Sequence, residues 1–155
     1  MRRGDSWSLN ITNVFMAVPF DDVYAKFYRA NICGPIIEAG LTPIRADEMP
    51  ARAEFEHIMD RIMEGIARSR FVIADVTGWN TNVIYEIGLA VGISKPILLL
   101  CHKRHFQDKD IPFDFRSYPL IGYDPYDAED LQTRLTVKIG EMMDATPPPK
   151  GTSDD

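Results

Sequence analysis

An open α/β fold, with a parallel sheet covered by helices on both faces, is what the sequence predicts, and three observations predict it. Short continuous apolar runs alternate with longer segments of helical spacing. Within the runs, apolar residues stand at consecutive rather than alternate positions, which marks strands covered on both faces. The length, 155 residues, suits one domain with one substantial core, which buries roughly 70% of the surface of its unfolded chain.

The first run, residues 13–18, is closed by Pro19 and reads as a strand. Residues 23–39 carry Tyr24, Phe27, Tyr28, Asn31 and Ile32 on one helical face. A kink or split is expected at Gly34-Pro35, because Pro35 has no N–H to offer residue 31, and Gly40 suits a C-terminal cap. Residues 41–45 form the second strand, followed by a polar loop through Pro50. Phe55, Ile58, Met59, Ile62, Met63 and Ile66 then recur at helical spacing, a stripe expected to be core throughout.

Residues 71–74, ending at Asp75, and 96–100 are the next strands, with an apolar helix over 83–93 between them. A weaker strand, 120–123, and a helix bearing Leu131, Leu135, Ile139, Met142 and Met143 complete five β/α units. Residues 1–12 are expected to be an N-terminal extension, 13–145 the domain, and 146–155, with Pro147-Pro148-Pro149, a disordered tail. Right-handed crossovers make the economical arrangement a three-layer, doubly wound, flavodoxin-like sheet of order 2-1-3-4-5. Ligands of such sheets lie beyond the strands' carboxyl ends where the winding reverses. Here that puts Pro19, Phe20 and Asp21 at one lip and Asp75 at the other.

Composition narrows the function classes. A net charge of −6 lacks the basic face that a nucleic-acid backbone requires. No apolar run approaches the ~18 residues of a spanning helix, and no apolar stretch of signal-peptide kind follows Met1-Arg2-Arg3-Gly4-Asp5, so a cytoplasmic protein without membrane contact is expected. Cys33 and Cys101 read as buried thiols, and His102-Lys103-Arg104-His105 as a solvated loop rather than a metal site. No glycine-rich phosphate loop is present, and neither metal nor cofactor is expected.

The helix over 83–93 is apolar on every side except for Glu86, so it is expected to be buried with a carboxylate inside it. Asn80, Thr81 and Asn82 suit the helix start, whose dipole favours the ionised form while burial opposes it. A buried carboxylate can serve structure alone, tied to a backbone amide or an arginine. With Asp75 ending the preceding strand, the two acids suggest a paired acidic site, although Asp75 could merely cap the turn at Thr77-Gly78. Gly88 and Gly92 are expected to let the helix pack closely on the sheet.

The residues Phe71-Val72-Ile73-Ala74-Asp75-Val76-Thr77-Gly78, then Asn80-Thr81-Asn82-Val83-Ile84-Tyr85-Glu86-Ile87-Gly88, then Lys95-Pro96-Ile97-Leu98-Leu99 resemble the nucleoside 2-deoxyribosyltransferase-like superfamily, with its deoxynucleotide N-hydrolase and TIR-like relatives. The likeness extends to Met16-Ala17-Val18-Pro19-Phe20-Asp21, Arg45-Ala46-Asp47-Glu48 and Pro112-Phe113-Asp114-Phe115-Arg116. It implies Glu86 as the nucleophile at the anomeric carbon and Asp75 as the acid that handles the base or positions the sugar. An N-glycoside is cleaved through an oxocarbenium-like state, which calls for a carboxylate facing the sugar and a proton donor near the base.

Transferases of that family commonly carry an aspartate where this chain has Asn80, and a neutral amide tolerates a 5′-phosphate that a carboxylate repels. A nucleoside or nucleotide is therefore the expected substrate, cleaved or transferred at its base–sugar bond, and this departure from the family pattern favours a 5′-nucleotide with water as acceptor. Phe20, Arg45, Asp47, Asn82 and Arg116 are further expected ligand contacts, each with a plain alternative as core, loop, cap or ion-pair residue. NAD cleavage at the nicotinamide bond, or nucleotide sensing without catalysis, are the alternatives, and a homodimer is expected.

Overall fold

The computed structural model describes residues 12–49, 57–105 and 113–146. Most of the expected N-terminal extension, nearly all of the expected tail, and Phe55 of the helical stripe lie outside these residues. The strands are β1 (Asn13–Ala17), β2 (Thr42–Ile44), β3 (Phe71–Asp75), β4 (Ile97–His102) and β5 (Leu120–Tyr123). They pair in parallel in the order β2-β1-β3-β4-β5, the doubly wound arrangement expected from sequence.

The helices are α1 (Asp22–Asn31), α2 (Cys33–Glu38), α3 (Ile58–Arg68), α4 (Thr81–Gly92) and α5 (Ala128–Ala145). The expected split at Gly34-Pro35 falls at Ile32, between α1 and α2. Restarting the helix at Cys33 puts Pro35 in the first turn of α2, where a missing N–H leaves no bond unmade. Gly40 ends α2 at φ 78°, a left-handed conformation that glycine adopts without strain.

Two cores lie on the two faces of the sheet. Val14, Met16, Phe71, Ile73, Leu98, Leu100, Ile121 and Tyr123 face α1, α2 and α5, while Phe15, Ala17, Val72, Ala74, Ile97, Leu99 and Cys101 face α3 and α4. This parity decides the direction of every side chain at the carboxyl edge.

Four expectations change at the surface. In the stripe of α3, Ile62 and Ile66 are buried, but Ile58 and Met59 at its start are exposed. Helix α4 is apolar all round yet only Val83, Glu86, Ile87 and Ala90 are buried; Tyr85, Gly88, Val91 and Gly92 face outward, because the sheet covers only one side of a helix in an outer layer. A Cβ added at Gly88 or Gly92 meets nothing within 4 Å, so these glycines do not bring the helix close to the sheet. The close approach is at Gly65 of α3, where an added Cβ would stand 3.0 Å from Phe15 Cε2 and from Met49 Sδ. Cys101 is buried, but Cys33 is only half-buried.

Candidate active site

The carboxyl edge of the sheet carries two groups of side chains. The first is built on Glu86, in the second turn of α4 on the α3/α4 face. Asn80 starts this helix with its side-chain oxygen accepting from Asn82 N at 3.0 Å and Val83 N at 3.3 Å, so the carboxamide is committed as a helix cap. Glu86 is 2% exposed, and its carboxyl has no hydrogen-bond partner among the described residues. Burial pushes it up to about 7; the nearby Asp47 carboxylate acts in the same direction and Arg45 opposes both. Of the two effects opposed in the sequence, burial prevails, since Glu86 lies beyond the first turn where the dipole is strongest.

Arg45, at the end of β2, is buried to 2% exposure and forms a bidentate pair with Asp47, at 3.1 Å through Nε and 2.9 Å through Nη2. Its guanidinium stands 5.2 Å from the Phe20 ring centroid and 5.5 Å from that of Tyr28. Phe20 thus packs against a buried cation while 42% of its own surface stays exposed. Asn82 is exposed one turn before Glu86 on the same helical face. Glu86, Arg45, Asp47 and Phe20 lie in one neighbourhood, with Asn82 one helical turn away on α4.

Asp75 does not join it. By parity with Phe71 and Ile73 it turns to the α1/α5 face, away from α4. There it is fully buried: Oδ2 accepts from Tyr24 OH at 2.7 Å and Tyr123 OH at 2.6 Å, and Oδ1 accepts from Thr77 N at 2.9 Å. The turn-capping role is therefore real, with two phenols added. Burial first, and then the Asp75 charge, push both phenols well above the usual tyrosine range. The turn beyond Asp75 places Gly78 at φ 73° and Trp79 at φ 52°, the latter an unusual conformation for a bulky residue. Trp79 is braced by Phe115, with ring centroids 5.8 Å apart.

The second group surrounds a cavity of about 600 Å³ on that same face. Pro19 and Asp21 line it, as do Tyr24, Phe27, Thr77, His102, Arg104, Tyr123 and Tyr126; Glu86 does not. The β1–α1 loop thus straddles the edge, with Pro19 and Asp21 on the cavity and Phe20 on Arg45. Asp21 also caps α1, accepting from Tyr24 N at 2.8 Å. Arg116 is exposed after the turn Phe113–Phe115. Sequence reasoning missed Tyr24 and Tyr123; a phenol ending an apolar strand two places from another strand ending in aspartate was the available signal.

Among the described residues, no group of three His, Cys, Asp or Glu is arranged to hold a metal, and no helix is long and apolar enough to cross a membrane. No family model matches the chain, and comparison with curated proteins gives no match.

Proposed function

We propose that the chain is a cytoplasmic N-glycosidase of the nucleoside 2-deoxyribosyltransferase-like kind, which binds a nucleoside or nucleotide and cleaves the base–sugar bond through Glu86. One observation carries the reading: a carboxyl group 2% exposed, without a hydrogen-bond partner among the described residues, titrating at about 7 at the carboxyl edge of the sheet. Such a group is costly to bury and is expected where chemistry uses it.

In the reaction, an ionised Glu86 oxygen bonds to the anomeric carbon as the bond to the base nitrogen breaks. The electron pair leaves with the base, which takes up a proton, and water then releases the sugar. Arg45 favours the ionised form of Glu86. Asp75 is not free to serve as a second acid, since its oxygens already hold two phenols and an amide, and both oxygens of Asp47 are held by Arg45, so water supplies the proton to the departing base. Asn80 is neutral, which suits a 5′-phosphate. The same glutamate would serve NAD cleavage at the nicotinamide bond.

A second reading, a nucleotide-sensing module without turnover, draws on the commitment of Asn80 to a helix cap and of Asp75 to the tyrosines. A homodimer also belongs to the proposal; the exposed Tyr85 and Val91 of α4 and Ile58 and Met59 of α3 give a second copy apolar surface to cover. The deciding experiment incubates the protein with nucleosides, 5′-nucleotides, their deoxy forms and NAD, and follows free base by chromatography. Release that falls at least about 10³-fold in Glu86→Gln supports the glycosidase. Binding without release from any member supports the sensor.

A further inference from the structure

The cavity on the α1/α5 face is not explained by the chemistry of Glu86. Its walls are mainly ring and apolar surface, from Pro19, Tyr24, Phe27, Tyr123, Pro125 and Tyr126. At its rim, Val23 is 81% and Tyr126 96% exposed, two large apolar side chains left in water where nothing in the fold requires them. The walls are held firmly: Phe27 stacks on Tyr123 with ring centroids 5.4 Å apart, and Asp75 ties the hydroxyls of Tyr24 and Tyr123 to one oxygen. Asp75 is therefore a positioning residue for this cleft.

Its polar groups fall into two kinds. His102 Nδ1 accepts from Arg104 N at 3.1 Å, which leaves the proton of the neutral ring on Nε2 as a donor. The Arg104 guanidinium donates through Nε to His105 Nε2 and has no carboxylate partner among the described residues. Arg104 and His102 thus supply donors suited to an anion. Asp21 uses only Oδ1 on the α1 cap, and its Oδ2 remains as an acceptor suited to a sugar hydroxyl. Thr77 Oγ1 already accepts from His102 N at 2.8 Å, which fixes the floor between them.

We propose that this cleft is a second ligand site, separate from Glu86, which takes a planar heteroaromatic ring on a sugar bearing an anionic group: a nucleoside monophosphate. A cavity of about 600 Å³ lies within the range of small-molecule sites, mostly apolar with a few convergent polar groups. The ring stacks among the tyrosines, the sugar hydroxyls donate to Asp21, and the phosphate accepts from Arg104 and His102. The site does not depend on catalysis at Glu86, so it stands or falls apart from the glycosidase reading.

The test is an amide-resolved NMR titration of the full chain carrying Glu86→Gln, with adenosine 5′-monophosphate, adenosine and orthophosphate as probes. The monophosphate is expected to shift the amides of Tyr24, Thr77, His102, Arg104 and Tyr126 saturably. Adenosine and orthophosphate should each bind there at least about tenfold more weakly, as should the monophosphate to Arg104→Ala or Tyr126→Ala, both exposed positions whose spectra report intact folding. Shifts confined to the Arg45 and Asn82–Ile87 region, no shifts at all, or affinity at the cleft unchanged in both variants would overturn the proposal. Base release by the unsubstituted chain is read separately and bears only on Glu86.

Discussion

Asp75 Oδ2 accepts the hydroxyl of Tyr123 at 2.6 Å across the carboxyl edge of the sheet, joining the end of β3 to the end of β5. The same oxygen accepts Tyr24 OH from α1 at 2.7 Å, so one carboxylate connects a central strand, an edge strand and a helix. Both phenols lose solvent and face that negative charge, and both are held far above their usual range. Tyr28 is raised as well, by burial first and then by its bond with Cys33. Below pH 10, folded and unfolded chains alike keep these protons; above it only the unfolded chain releases them. Stability is therefore expected to fall as pH rises beyond 10. Phenolate absorbance should show Tyr24, Tyr28 and Tyr123 ionising only as the chain unfolds; their titration in the folded chain near pH 10 would contradict this structure.

Asp75→Asn should act on folding before it acts on chemistry. The amide nitrogen cannot accept, so one side of the group faces donors it cannot satisfy, fully buried. A loss of about 2–4 kcal/mol is expected by denaturant unfolding. If Asp75 instead held the base near Glu86, the variant would keep its stability and lose only turnover.

These two acids show how far the sequence was legible. Five strands and their order could be read because the runs are apolar at every position, and the break before Pro35 because that ring cannot sit inside a helix. Glu86 stood out as one charge in an apolar helix. The same continuity hid the direction of Asp75: in Phe71-Val72-Ile73-Ala74-Asp75 both faces are apolar, so pattern gives no parity, and only the placement of α1 and α5 opposite α4 decides it. An all-apolar α4 likewise gave no sign that Tyr85 and Val91 point outward.

The glycines give a clean pair of opposite outcomes. Gly88→Ala in α4 meets open space and removes backbone freedom from the unfolded chain, so a gain of about 0.5–1 kcal/mol is expected. Gly65→Ala drives a methyl against Phe15, fully buried on the α3 face of β1, and is expected to lose about 1–3 kcal/mol. Thermal unfolding of both variants reads the two signs. Destabilisation by Gly88→Ala would mean that α4 is covered in solution, as a dimer through this face would require.

Glu86 makes the protein's stability depend on pH between about 4.5 and 7. Below 4.5 the group is protonated in both states. As pH rises toward about 7 the unfolded chain ionises while the folded chain resists, so stability falls, by about 3 kcal/mol in total. Glu86→Gln cannot ionise, and the difference in stability between variant and parent should therefore grow in the variant's favour by about that amount from pH 4.5 to 8. A constant difference over that range would mean that Glu86 is solvated or paired.

The same titration can be moved from either side of Glu86. Asp47 is the second cause of its raised affinity for protons, and Arg45 opposes it. Asp47→Asn should therefore lower the midpoint and Arg45→Met should raise it, read as the carboxyl carbon shift of Glu86 against pH. Because the ionised form attacks, base release at pH 6 should rise in the first variant relative to its plateau and fall in the second. Arg45→Met also leaves Phe20 and Tyr28 without the cation they flank, so its stability is measured alongside. Movement of both midpoints in one direction would show that the charges act through repacking rather than through their field, and would remove Asp47 and Arg45 from the proposed chemistry.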